Sequence, residues 1–241
     1  MIRVIQKKNY EEMSRQAATL IGAQVLLKPD SVLGLPAGRT PIGTYEELIR
    51  MNKEGSLDFS RVRTVSLDEY LGLTPGNVHS FRFFMDSILF TRINIDPFST
   101  FIPDGCAPDQ GKACLDYDGV ISDLGGIDLM LLGIGQNGHI GFNEPNDTFI
   151  AGTHVVDLTE DTRKANSRMF EDPEDMPRRA VTMGMAAIMQ ARRILLIANG
   201  AAKANALHAA IDGPITPQVP ASILQLHPDV TVIADEEALG I

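Results

Sequence analysis

Six short runs rich in leucine and β-branched residues punctuate the chain: Ile2–Ile5, Ser31–Leu35, Arg63–Ser66, Ile127–Ile134, Arg193–Ala198 and Val230–Ala234. Two of them, IDLMLLGI and RILLIA, are almost continuously apolar, which suits strands covered on both faces, as in a parallel sheet. Between the runs, apolar positions recur at helical spacing. Across Tyr10–Leu27, for example, Met13, Ala17, Leu20, Ile21 and Val25 share one side. Strand and helix alternate, so the pattern predicts an α/β fold with a doubly wound, mostly parallel sheet and helices on both faces. No repeat, low-complexity tract or linker interrupts it, and residues 1–241 read as one domain. The stretch 153–183 is richer in charge and carries Pro173 and Pro177. It reads either as a lid over the sheet edge or as a plain surface excursion.

Composition narrows the function classes. Apolar residues make up 44% of the 241 and charged residues 22%, which excludes a disordered chain, a collagen-like repeat and a coiled coil. With 21 Lys+Arg against 31 Asp+Glu the net charge is −10, which argues against nucleic acid or an anionic membrane as partner. A phosphorylated metabolite remains compatible, because a few basic groups and a helix start can converge locally. MIRVIQKKNYEEM does not read as a signal peptide, and no apolar run approaches the roughly 20 residues that span a bilayer, so a cytoplasmic location is expected. Cys106 and Cys114 fit neither a redox pair nor a zinc spacing and read as reduced packing residues.

Ligands of open α/β sheets sit at the carboxyl ends of the strands, and three clusters fall there. In GLPAGRTPIGTYEEL, Gly38 allows a tight turn, Thr40 suits an N-cap and Pro41 a first helical position. That helix start, with Arg39 beside it, would attract an anion; a merely well-capped connection is an equally good reading. In TVSLDEYLGL, Asp68 and Glu69 follow a strand. Each is either a helix-capping carboxylate or, in a dry pocket, a base with a raised pKa. LLGIGQNGHIGFNEP is the most informative. Glycines crowd around His139, and Glu144, five residues on, is near enough to orient the imidazole and set its tautomer. This favours a base-plus-orienter pair over a structural histidine. His79, His154, His208 and His227 show no ligand spacing with His139, which disfavours a metal site.

SLDEYLGL, GIGQNGHIGFNEP, TRKANSRMF, AVTMGMAAIMQAR and PASILQLH resemble, in order, the motifs of glucosamine-6-phosphate deaminases, over about Val32 to Asp235. The resemblance implies a Rossmann-like fold and a cofactor-free, metal-free hydrolase converting glucosamine 6-phosphate and water to fructose 6-phosphate and ammonia in amino-sugar catabolism. It assigns ring opening to His139 supported by Glu144, with Asn137 as a further site residue. Asp68 becomes the base that moves a proton between C2 and C1. Gly38, Arg39, Thr40, Arg168 and Lys203 would hold the substrate phosphate, and Gly133 would offer backbone contact to the sugar. The stretch 153–183, which carries Arg168, would close as a lid.

Three departures qualify the resemblance. Asn137 stands where many members carry Asp, so a carboxylate relay through that position is lost. Ala37-Gly38-Arg39 replaces small or hydroxyl residues. His154 and Val156 stand where allosteric members carry basic residues, so no activation by N-acetylglucosamine 6-phosphate is expected. Whether the chain is a monomer or a homo-oligomer stays open at this stage. The rivals are a galactosamine-6-phosphate deaminase, a 6-phosphogluconolactonase, and a non-catalytic sugar-phosphate sensor, the last lacking any DNA-binding module here.

Overall fold

The apolar runs become strands, and the intervening amphipathic stretches pack on either side of them. The computed structural model describes residues 2–167, 170–172 and 175–241. In chain order the elements are β1 Arg3–Lys7, α1 Tyr10–Leu27, β2 Val32–Leu35, α2 Ile42–Lys53, β3 Arg63–Ser66 and β4 Asp68–Tyr70. They continue with α3 Phe81–Ile88, β5 Thr100–Phe101, α4 Gln110–Asp123, β6 Leu129–Gly133, β7 His154–Asp157 and α5 Glu160–Asn166. The last are β8 Arg179–Thr182, α6 Met185–Met189, β9 Ile194–Ala198, α7 Ala204–Asp212 and β10 Val230–Asp235.

Seven strands form a sheet in the order β1-β10-β9-β6-β2-β3-β5, and every pairing in it is parallel. The chain leaves β2 towards β3 and β5, then returns to β6 on the other side of β2. The switch point therefore lies between β2 and β6, where the loops beyond the two strands diverge and leave a crevice. Pleating explains why IDLMLLGI is apolar throughout. Leu129 and Leu131 face one way, with Met13, Ala17, Ile21 and Leu48 of α1 and α2. Met130 and Leu132 face the other way, with Tyr117, Ile121 and Leu207 of α4 and α7. Each fully buried Leu or Met of this kind contributes about 1.5–3 kcal/mol.

At the amino-terminal end of the sheet, Asp128 ties three elements together. Its carboxylate accepts from the Val32 N–H at 2.8 Å, from Lys28 Nζ at 2.7 Å and from Arg192. Burial raises this carboxyl, but the hydrogen bonds from Lys28 and Val32 and the charges of Lys28 and Arg192 outweigh it, and the net pKa is lowered.

A second sheet escaped the hydrophobic pattern. β4, β8 and β7 pair antiparallel, with Asp68 opposite Thr182 and Thr182 opposite His154. Beneath it Tyr70, Phe81, Phe142 and Phe170 form a separate aromatic cluster. The stretch 153–183 thus contributes β7, α5 and β8, and its two ends are held by ladder hydrogen bonds. Other differences from expectation are small. β1 begins one residue late and runs on to Lys7 because it is an edge strand, where only part of one face is covered. Cys114 is buried on α4, whereas Cys106 is exposed, so only the former is a packing residue.

Candidate active site

Four neighbouring strands, β9, β6, β2 and β3, deliver their carboxyl ends to one side of the sheet, and the expected site residues lie on the segments that follow them. After β2 the chain passes through Pro36 to Gly38, whose φ of 108° lies in the region glycine tolerates. The helix start differs from the sequence expectation. Thr40 makes no cap: α2 begins at Ile42, and Pro41 is the cap residue, with helical angles and no capping side chain of its own. The Tyr10 hydroxyl takes over part of that role. It accepts the Gly43 N–H at 2.8 Å and donates to the Arg39 carbonyl at 3.4 Å. Gly38 and Thr40 are half-buried and Arg39 is exposed, so the loop is open to an incoming anion.

β3 leads directly into β4, where adjacent carboxylates take opposite fates. Alternation along a strand points neighbours to opposite faces. Glu69 accepts from the Tyr70 N–H at 2.8 Å and from the Phe81 and Arg82 N–H groups at 2.9 Å, so it caps the start of α3. Burial still leaves its pKa raised. The Asp68 side chain points the other way, the residue 7% exposed, and no hydrogen bond reaches its carboxylate among the described residues. Burial, and then the nearby charge of Glu69, push its carboxyl up to about 8. The capping reading therefore belongs to Glu69, and the Asp68 carboxyl is left buried and without a side-chain partner among the described residues.

Past β6, the glycine-rich loop folds back on itself. The Gly135 N–H donates to the His139 carbonyl at 2.9 Å, and the imidazole lies flat against Gly135. A Cβ at residue 135 would sit 2.3 Å from His139 Cε1, so only glycine allows this approach. His139 Nδ1 is 3.4 Å from Glu144 Oε2, with the carboxylate almost fully covered. Burial raises Glu144, but hydrogen bonds and attraction from His139, together with bonds from Thr162 and Asn137, hold it below the ordinary carboxylate range. Asn137 acts on the carboxylate and the backbone and not on the ring. Its Nδ2 donates to Glu144 Oε2 at 2.7 Å and its Oδ1 accepts the His139 N–H at 3.2 Å. A carboxylate at 137 cannot donate to Glu144; an amide can.

The loop and β4 meet at Gly141, two residues beyond His139. A Cβ there would lie 3.0 Å from Thr182 Oγ1 and 3.6 Å from Asp68 Oδ2. Thr182 is Asp68's partner across the β4–β8 ladder, and its hydroxyl accepts the Phe142 N–H at 3.0 Å. Asp68 is thus brought beside Gly141, in the same loop as Asn137, His139 and Glu144. Lys203, at the start of α7, donates to the Ile134 carbonyl at 2.6 Å, which fixes an ammonium beside this loop; burial lowers its pKa. A Cβ on Gly133 would meet nothing within 4 Å, so that backbone faces open space. Arg168 lies outside the described residues. Chemically, the arrangement joins a buried carboxyl to a separate imidazole–carboxylate couple, with cationic groups at neighbouring strand ends.

One contributor was missed from sequence: Thr162 of α5, whose Oγ1 is 3.3 Å from His139 Nδ1. The only signal was Thr159 ahead of Glu160 and Asp161, a capped helix start, and Thr159 does accept the Thr162 N–H.

Comparison with known proteins gives concordant results. A family model described as glucosamine-6-phosphate isomerases/6-phosphogluconolactonase matches residues 6–233. A glucosamine-6-phosphate deaminase of Lachnoclostridium phytofermentans is 56% identical over 96% of this chain and 98% of its own length. One from Halothermothrix orenii is 52% identical over 100% of both. A solved structure described as a monomeric glucosamine-6-phosphate deaminase superposes with a TM-score of 0.97 at 44% identity, over 99% of each chain.

Proposed function

We propose that this chain, which belongs to the glucosamine-6-phosphate isomerase/6-phosphogluconolactonase family, is a glucosamine-6-phosphate deaminase: it converts glucosamine 6-phosphate and water to fructose 6-phosphate and ammonia. Because water is consumed and a C–N bond is cut, the enzyme is a hydrolase by class. The observation that supports this best is the unbonded, buried Asp68 carboxyl across Gly141 from the His139–Glu144 couple. Aldose–ketose chemistry needs one base over the carbon and a separate acid–base pair at the ring oxygen, and the approach of Asp68 to the loop that carries His139 and Glu144 supports these as the two.

In this reading His139 takes the anomeric hydroxyl proton and returns a proton to the ring oxygen, opening the pyranose. Glu144 stabilises the transient imidazolium. Asp68 then removes the C2 proton, giving an enolamine, and delivers a proton to C1. The resulting ketose imine adds water at C2, and the carbinolamine releases ammonia. A carboxyl whose pKa is about 8 exchanges protons readily near neutral pH, as each half of this transfer requires. Lys203 and the Gly38–Thr40 loop hold the phosphate, with Arg168 assigned to it by sequence alone. Gly133 lies against the sugar, and the stretch 153–183, which contains α5, acts as a lid over the enolamine. A charged sugar phosphate does not cross a bilayer unaided, which supports a cytoplasmic location; no helix among the described residues is long and apolar enough to cross a membrane.

The test is to assay ammonia and fructose 6-phosphate from glucosamine 6-phosphate, beside the galactosamine epimer and 6-phosphogluconolactone. Faster turnover of either alternative substrate overturns the assignment.

A further inference from the structure

His139 Nδ1 has two neighbours, and only one of them is the carboxylate. Thr162, 3% exposed on α5, sets Oγ1 3.3 Å from Nδ1, while Glu144 Oε2 is at 3.4 Å. The Thr159 hydroxyl donates to Thr162 Oγ1 at 3.1 Å, and Thr159 Oγ1 accepts the Thr162 N–H at 3.3 Å. A threonine hydroxyl offers one hydrogen and two lone pairs. With one lone pair filled by Thr159, the hydrogen and the other lone pair remain for the His139–Glu144 couple. Glu144, held charged, can only accept, so the proton of the couple sits on Nδ1 facing Oε2, and a protonated Nδ1 can only donate to Thr162. The lone pair then faces Nδ1 beside Glu144 Oε2. Two acceptors at Nδ1 hold a proton there and leave Nε2 with a free lone pair.

We propose that Thr162 is a positioning residue that locks His139 in the Nδ1–H tautomer, so that seating α5 against the glycine-rich loop and readying the ring-opening base are one event. The proposal rests on the reading of His139 as that base. It gives the segment between β7 and β8 a chemical duty beyond covering the site: without α5 in place, Nδ1 has one acceptor and the imidazole is free to carry its proton on either nitrogen.

The experiment combines ¹⁵N-imidazole spectra of the whole chain with steady-state kinetics. The five histidines are separated by reference to a His139→Gln spectrum. The wild type should show the Nδ1–H tautomer at His139, and Thr162→Val a mixture with Nε2–H. In the same variant kcat should fall about 10- to 100-fold, below the ~10²–10⁴-fold worth of an entire base, with KM within about twofold. Thr162→Ser, which restores the hydroxyl, should recover kcat to within about threefold. An unchanged tautomer in Thr162→Val, or a serine variant as slow as the valine one, overturns the proposal. Should the valine variant fail to fold, Thr162→Ala supplies the same comparison. The spectra need no turnover. A chain without deaminase activity whose His139 tautomer still answered to Thr162 would sink the assigned reaction and leave the positioning role standing.

Discussion

Replacing Asp68 with asparagine removes the proposed carbon base and, by the same physics, should make the protein more stable at alkaline pH. The carboxyl titrates at an ordinary 3.8 in the unfolded chain and at about 8 in the folded one. A folded-state pKa raised above the unfolded value contributes stability that is complete below pH 3.8 and is lost as pH rises through 8. At about 1.4 kcal/mol per pH unit, the loss above pH 8 is about 6 kcal/mol. Asparagine carries no charge but still buries an amide that lacks a partner, which costs about 1–3 kcal/mol. The net gain of Asp68→Asn at pH 9 is therefore about 3–5 kcal/mol, or roughly 6–20 °C in Tm for a chain of this size. At pH 4, where the carboxyl is neutral in the folded protein, the unpaired amide should leave the variant about 1–3 kcal/mol less stable, so the two melting curves cross as pH rises. Thermal melts of both from pH 4 to pH 9, followed by circular dichroism, measure the difference, and ammonia release at pH 7.5 should be abolished in the variant. A stability gap that stayed constant with pH, or an asparagine variant that melted lower at pH 9, would show that Asp68 is not held against its charge.

Three further outcomes are expected. Lys203→Ala should raise KM about 10- to 100-fold with kcat nearly unchanged, the effect of losing one charged hydrogen bond to phosphate; a change confined to kcat would remove Lys203 from that role. Asn137→Asp exchanges a donor to Glu144 for a like charge, so the pair should share a proton at higher pH and the acidic limb of kcat/KM should move upward. A pH profile shifted the other way would contradict the bond between Asn137 and Glu144. Gly135→Ala should cut kcat by about 10²-fold, because a methyl 2.3 Å from Cε1 drives the imidazole off its seat; unimpaired turnover would mean that the ring position is not critical.

The hydrophobic rhythm of the chain was enough to recover the parallel sheet, because burial on both faces leaves little room for polar residues in β2, β6, β9 and β10. It failed for the β4–β8–β7 sheet. Asp68–Tyr70 and His154–Asp157 are short and mixed in polarity, since one side of this sheet borders the site and the other an aromatic cluster. Capping chemistry was ambiguous for the same reason that it is common. Thr40 looked like a cap and is not one, while Glu69 caps α3 from a β-strand, with its partners Phe81 and Arg82 more than ten residues away. Glycine density around His139 did announce a close approach, although what Gly135 touches is the imidazole itself. Thr162 left almost no trace, because a hydroxyl that reaches its partner only through tertiary folding resembles any other threonine.

The small antiparallel sheet has a consequence for how this enzyme can fail. It ties β4, which carries Asp68, to β8, and β8 to β7, from which the chain runs into the helix that carries Thr162, so a disturbance of β8 reaches the surroundings of both residues. On the proposed mechanism, loosening β8 would therefore cost ring opening and the transfer between C2 and C1 together.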